Sequence, residues 1–100
     1  MDTRQHIIYE LRIGSDRYIG VTAKTCDTIS KSVFSRLAKH WYRAQTEGLD
    51  WLLCQALRTL PSREAVEVVI HELVQGKAAA HRRERALIHQ LTPNLNTDVR

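Results

Sequence analysis

Residues His6 to Ile13 are rich in Ile, Tyr and Leu, and a second β-favouring run, Arg17 to Thr22, follows Gly14-Ser15-Asp16. Two such runs around a Gly-Ser step predict a β-hairpin. If Gly14-Ser15 forms a two-residue turn, Ile13 pairs with Asp16, Leu11 with Tyr18 and Tyr9 with Gly20. Tyr9 and Tyr18 then share one sheet face as diagonal neighbours. Ala23 to Ile29 is polar and reads as a loop. From about Ser30, Val33, Phe34, Leu37, Ala38 and Trp41 recur at helical spacing, with Thr28 or Ser30 as the cap and Gly48 as the stop. Leu49 to Leu60 predicts a second helix, burying Leu52, Leu53, Ala56, Leu57 and Leu60, with Asp50 as a cap and Pro61 as the break. The β-branched run Ala65 to Ile70 predicts a third strand. Lys77 to Leu91, between the Gly76 turn and Pro93, predicts a third helix, and Asn94-Leu95-Asn96 a short tail. The order β-β-α-α-β-α describes an α+β fold, a small three-stranded antiparallel sheet flanked by helices.

No repeat, low-complexity tract or Gly/Ser linker divides the 100 residues, so residues 1–100 read as one domain. No apolar run approaches the ~20 residues of a membrane helix, and the polar start Met1 to His6 reads as no signal peptide. Cys26 and Cys54 lie far apart and outside any CxxC pattern, which argues against a zinc site or disulfide framework and for a reducing cytoplasm. Fifteen Lys plus Arg against eleven Asp plus Glu give a net charge of +4. That excess suits a polyanionic partner without requiring one.

Three groups of residues stand out from this background. Glu84 shares the face of Ala80, Leu87, Ile88 and Leu91 on the last helix, where a carboxylate costs several kcal/mol of desolvation unless a cation or donors meet it. An edge salt bridge with a neighbouring Arg would answer that cost, and so would a metal ion at the mouth of a cleft. One carboxylate completed by water and phosphate oxygens suits Mg²⁺. On the first helix Arg36 and His40 are four apart and share a face, a phosphate fork beside a group that titrates near neutrality; a solvated polar face has the same spacing. Tyr9 and Tyr18 are the third group, and ordinary strand aromatics would look no different. His71-Glu72 lacks the second histidine of a zinc helix, and His6, His81 and His89 show no ligand pattern. Trp41, Tyr42 and Trp51 could stack on bases or pack in the core, and Cys54 reads as a core residue.

Taken in order, these residues resemble the GIY-YIG endonuclease family. Ile7-Ile8-Tyr9 sits where the family has its first tripeptide, with Ile7 in place of glycine, and Tyr18-Ile19-Gly20 matches the second. Arg36 and His40 look like the family's first-helix pair. Glu84, with Pro93-Asn94-Leu95-Asn96 after it, is similar to the terminal glutamate and its Pro-x-Leu-Asn tail. The resemblance covers essentially the whole chain. The connection from Tyr18 to Arg36 is longer than usual by the Lys24-to-Ser32 stretch, which reads as an added loop that could hold a DNA backbone through Lys24, Lys31 and nearby hydroxyls.

The resemblance implies a metal-dependent endonuclease that hydrolyses DNA phosphodiester bonds with low sequence specificity or by DNA structure. Tyr9, Tyr18, Arg36, His40 and Glu84 would be catalytic, with Glu84 holding Mg²⁺ or Mn²⁺, and Arg36 clamping phosphate. Tyr9 or His40 would serve as general base, with Tyr18 orienting phosphate or water. Gly20 and Asn96 would support the site, Asn94 being the alternative to Asn96. Lys24, Lys31, Lys39, Arg43, Arg82 and Arg83 would face DNA. One site cuts one strand, so breaking both calls for a homodimer or two visits. The expected setting is the cytoplasm of a prokaryote or of a virus-infected cell. A non-catalytic DNA-binding or protein-interaction module on the same scaffold is the competing reading, and it has no need of an inward carboxylate.

Overall fold

A computed structural model of the chain describes residues 4–48 and 51–96. Its order is β1 (Gln5–Ile13), β2 (Asp16–Ala23), α1 (Ile29–Thr46), α2 (Leu52–Arg58), β3 (Glu67–Gln75) and α3 (Lys77–Leu91), with single 3₁₀ turns at Arg63–Ala65 and Asn94–Asn96. The fold is α+β, with an antiparallel sheet in the order β2-β1-β3. Among the described residues, no helix is long and apolar enough to cross a membrane.

The hairpin register follows from its turn. Gly14 alone among the turn residues takes positive φ (61°), as the first central position of a type II′ turn requires. Ile13 therefore faces Asp16, Leu11 faces Tyr18 and Tyr9 faces Gly20, as the two-residue turn predicts. β1 is the middle strand and is covered on both faces. Ile7, Tyr9, Leu11 and Ile13 pack with Val33 and Leu37 of α1 and Leu53 and Leu57 of α2. Ile8 packs on the opposite side with Ile19 and Leu87. Burial on both faces explains why this strand shows no clean polar–apolar alternation in sequence. Ile7, where the resembled family has glycine, is fully buried in the larger core.

Some boundaries differ from the sequence pattern. α2 begins at Leu52, and the expected start at Leu49 and cap at Asp50 lie outside the described residues. Its end is tightened by i→i+3 bonds from Thr59 and Leu60, because Pro61 disfavours helical geometry in the residue before it. β3 runs on through His71 to Gln75, although His71, Glu72 and Gln75 are polar, because β1 extends back to Gln5 and its backbone groups need partners. Ala65, expected in the strand, belongs to the preceding 3₁₀ turn. The polar connection is shorter than the sequence suggests, since Ile29 to Ser32 already form the first turn of α1.

Glu10, at the middle of β1, is fully buried. Its Oε2 accepts from Arg12 Nε at 2.8 Å and Arg17 Nε at 2.7 Å, and its Oε1 from His71 Nε2 at 2.7 Å. The β1–β3 register shifts after Ile8, which pairs with Glu72 while Tyr9 pairs with Ile70, so His71 is the extra residue of a bulge. Burial alone would raise the Glu10 carboxyl, but hydrogen bonds from Arg17, Arg12 and His71 outweigh it and hold the pKa at about 2. A depressed carboxyl pKa adds stability above the unfolded value near 4.5 and loses it as pH falls toward 2. Glu10→Gln should therefore cost about 2 kcal/mol at neutral pH, a figure reduced for solvent screening of the two arginines. It should also flatten the loss of stability between pH 4.5 and 2. Urea unfolding across that range checks both, and a variant with wild-type stability and an unchanged acid profile would contradict the clamp.

Candidate active site

α1 sets the first part of the site. The Thr28 hydroxyl caps it by accepting from Lys31 N at 3.1 Å, and the buried stripe Val33, Leu37, His40 and Ala44 turns His40 toward the sheet. His40 shares a hydrogen bond of 3.2 Å, through Nε2, with the Tyr9 hydroxyl. The Tyr18 ring stands edge-on to His40 at 5.6 Å and tilted to Tyr9 at 6.5 Å, centroid to centroid. Tyr9, Tyr18 and His40 are one cluster.

Gly20 makes room for it. A Cβ there would lie 2.6 Å from the Tyr9 hydroxyl oxygen and 2.9 Å from a Tyr18 ring carbon. Tyr9 is almost fully buried and cannot swing away. Gly20→Ala should lower stability by about 1–3 kcal/mol through overpacking. It should also cut any activity of the cluster by roughly a hundredfold, since a displacement near 1 Å at reacting groups costs that much. Thermal melting and turnover of the variant check this, and wild-type values for both would refute it.

Arg36 and Glu84 act on the same hydroxyl. Burial raises the Tyr9 pKa well above the usual phenol value, and the neighbouring Tyr18 adds to it. Arg36, as a charge and as a donor, pulls it down, and Glu84 pushes it up. The Arg36 Nε is buried and has no hydrogen-bond partner within the protein. A buried guanidinium donor left unmade is costly, and an incoming oxygen would satisfy it. His40 is pushed down to about 4, first by burial and then by the charges of Arg36 and Arg43, so its ring is neutral at pH 7.

Glu84 stands on α3, and its charge is felt at the Tyr9 hydroxyl. Its side chain is 18% exposed, with His81 Nδ1 at 3.6 Å. Burial raises its pKa, and His81 and Arg85 partly offset that. The partner is thus a histidine at i−3 rather than the arginine a salt bridge would suggest, and the three-residue spacing of His81 and Glu84 is the signal that could have shown it. Among the described residues no three His, Cys, Asp or Glu side chains form a ready metal cage. A lone, partly open carboxylate still fits Mg²⁺ or Mn²⁺, which keep several waters and take further oxygens from a phosphate.

The tail closes on the sheet. Asn96 accepts from Ile19 N at 2.8 Å and donates to Ile19 O at 2.9 Å, between the two motif residues Tyr18 and Gly20. Asn94 accepts from Arg17 N at 2.9 Å and donates to Asp16 Oδ1 at 2.8 Å. Both asparagines pin β2; Asn96 does so next to the tyrosines.

The basic residues expected to face DNA are spread more widely. Lys24 Nζ donates to the carbonyls of Cys26 at 3.3 Å and Asp27 at 3.2 Å, so it braces its own loop. Ser32 Oγ accepts from Thr25 N at 3.2 Å and Cys26 N at 3.0 Å, so loop hydroxyls are used internally as well. Lys31 is exposed, and Lys39 and Arg43 border a shallow hollow on the outer face of α1 with the exposed Tyr42. Arg82 is exposed, whereas Arg83 Nε is tied to Glu72 at 2.7 Å. Trp41 packs against the larger core, and Cys54 is buried in it.

No protein-family model, curated protein or solved structure matches this chain.

Proposed function

We propose that the chain is a metal-dependent endonuclease of the GIY-YIG type that hydrolyses DNA phosphodiester bonds. The observation that carries this reading is the buried Tyr9 hydroxyl, which is hydrogen-bonded to His40 and feels the charges of both Arg36 and Glu84. A core histidine, a surface arginine and an edge salt bridge, each explained separately, would not meet there.

Phosphodiester hydrolysis needs a deprotonated water, cancelled phosphate charge and a stabilised leaving oxygen. Arg36 has the bidentate fork for a phosphate and a buried Nε that lacks an acceptor. Tyr9 is too basic a phenol to ionise unaided at neutral pH, but its oxygen can accept a proton from water while its own proton passes to His40 Nε2. The neutral His40 ring, as the Nδ1–H tautomer, is ready to receive it. The hydroxide so formed attacks phosphorus, the bond to the departing sugar oxygen breaks, and that oxygen takes up a proton from water while His40 gives its own back to solvent. Tyr18 packs beside both groups and would orient the water or the phosphate. Glu84 is the residue that would hold Mg²⁺ or Mn²⁺. Such a cation supplies positive charge to phosphate oxygens and acidifies water.

Supercoiled plasmid tests this directly. With Mg²⁺ it should pass to nicked circles first and linear DNA later, because one site cuts one strand at a time. Chelation with EDTA should stop the reaction. Intact plasmid in Mg²⁺, or equal cutting in EDTA, would remove the proposal.

A further inference from the structure

A cleft of about 450 Å³ opens beside Arg36, lined by Arg4, His6, Thr22, Arg36, Lys77 and His81. Three separate parts of the chain bring basic side chains to it. Arg4 and His6 come from the start of β1, Arg36 from α1, and Lys77 and His81 from α3. None of the described residues lining it is acidic. The backbone holds this arrangement in place, since the Arg4 carbonyl accepts from Gly76 N at 3.0 Å and from His6 Nδ1 at 3.1 Å. Arg4 is thereby tied to the residue just before Lys77. α3 also begins here without a side-chain cap or an acidic residue in its first turn, so its partial positive charge adds to the cleft.

Basic side chains drawn from three parts of the chain into one hollow give it a positive potential that favours an anion. The cleft shares Arg36 and His81 with the surroundings of Tyr9 and Glu84, so an anion in it would lie next to the reacting phosphate. We infer that this cleft seats a second backbone phosphate of the DNA strand being cut, adjacent to the scissile one, with Arg4 and Lys77 as its cations. The inference rests on the nuclease reading for the place of this phosphate beside the scissile one, and on the cleft alone for the phosphate itself. It gives the protein a way to hold one strand by its backbone, without reading bases.

Arg4 and Lys77 are both exposed, so Arg4→Gln/Lys77→Gln should fold, which thermal melting verifies. The probe is a fluorescent 12-base-pair DNA duplex titrated in EDTA at several salt concentrations. Loss of this one phosphate seat should weaken binding about tenfold and reduce the slope of log K against log salt by about 1. If the double variant does not fold, Lys77→Gln alone should reduce the slope in the same direction, by less than about 1. Unchanged affinity and slope would overturn the inference. Millimolar inorganic phosphate that shifts the amide resonances of Arg4, Thr22 and Lys77, with DNA affinity unchanged, would mark a free-anion site and overturn it too. The two proposals fail separately. A chain that cuts plasmid but shows no salt-slope change keeps the nuclease reading and loses the phosphate seat. One that never cuts but shows the change keeps the seat.

Discussion

Glu84→Gln should abolish plasmid nicking, slowing it by roughly a thousandfold or more, while leaving the fold intact. The substitution is isosteric and removes one charge from a side chain with an exposed edge. Burial already disfavours the ionised carboxylate there, so the neutral amide removes a desolvation cost as well as the His81 contact. The melting temperature should therefore stay close to wild type. If Glu84 were only the partner of His81 in an edge ion pair, activity and stability would change together and by little. Loss of activity at constant stability separates the two roles. Gel-resolved nicking rates and a melting curve on the same preparation are sufficient.

The second large effect belongs to Tyr9. Tyr9→Phe should reduce the cleavage rate by roughly a hundredfold to a thousandfold, the size of a proton-transfer contribution. Its stability should fall by only about 1–2 kcal/mol, for a buried His40 Nε2 left without its partner. His40→Ala should show a comparable loss of rate. The pH profile distinguishes this arrangement from an ordinary histidine base. With its pKa lowered to about 4, His40 accepts a proton only as pH falls well below neutrality. The ring therefore stays neutral from pH 7 down to 6, and the rate should show no histidine inflection near 6.5. Such an inflection, absent in His40→Ala, would mean that His40 titrates normally and is not held as a neutral acceptor. An active Tyr9→Phe enzyme with unchanged pH dependence would remove Tyr9 from the role.

Much of the architecture is legible in sequence because its determinants are local. A two-residue Gly14-Ser15 turn sets the register of the whole hairpin, and that register alone brings Tyr9 beside Tyr18 and opposite Gly20. Four-residue spacing on α1 likewise puts Arg36 and His40 on one side. Glu84 is conspicuous because it interrupts an apolar face, and it is partly buried there. The features that stay hidden depend on contacts between distant segments. Nothing around Glu10 marks it as buried, since one of its partners, His71, arrives from 61 residues away through a bulge. Arg4, His6 and Lys77 are unremarkable singly and form a cleft only because β1 and α3 begin at the same end of the sheet. The second half of β3, where His71 and Glu72 interrupt the β-branched run, escapes a search for such runs, because pairing with β1 carries it on as a strand.

Locating the cation in the presence of DNA tests the central claim most directly. In crystals grown with Mn²⁺ and a short DNA duplex, the anomalous signal should fall on the Glu84 carboxylate, with a phosphate between it and Arg36. A metal bound elsewhere, or DNA lying on a surface remote from Tyr9 and His40, would contradict the account.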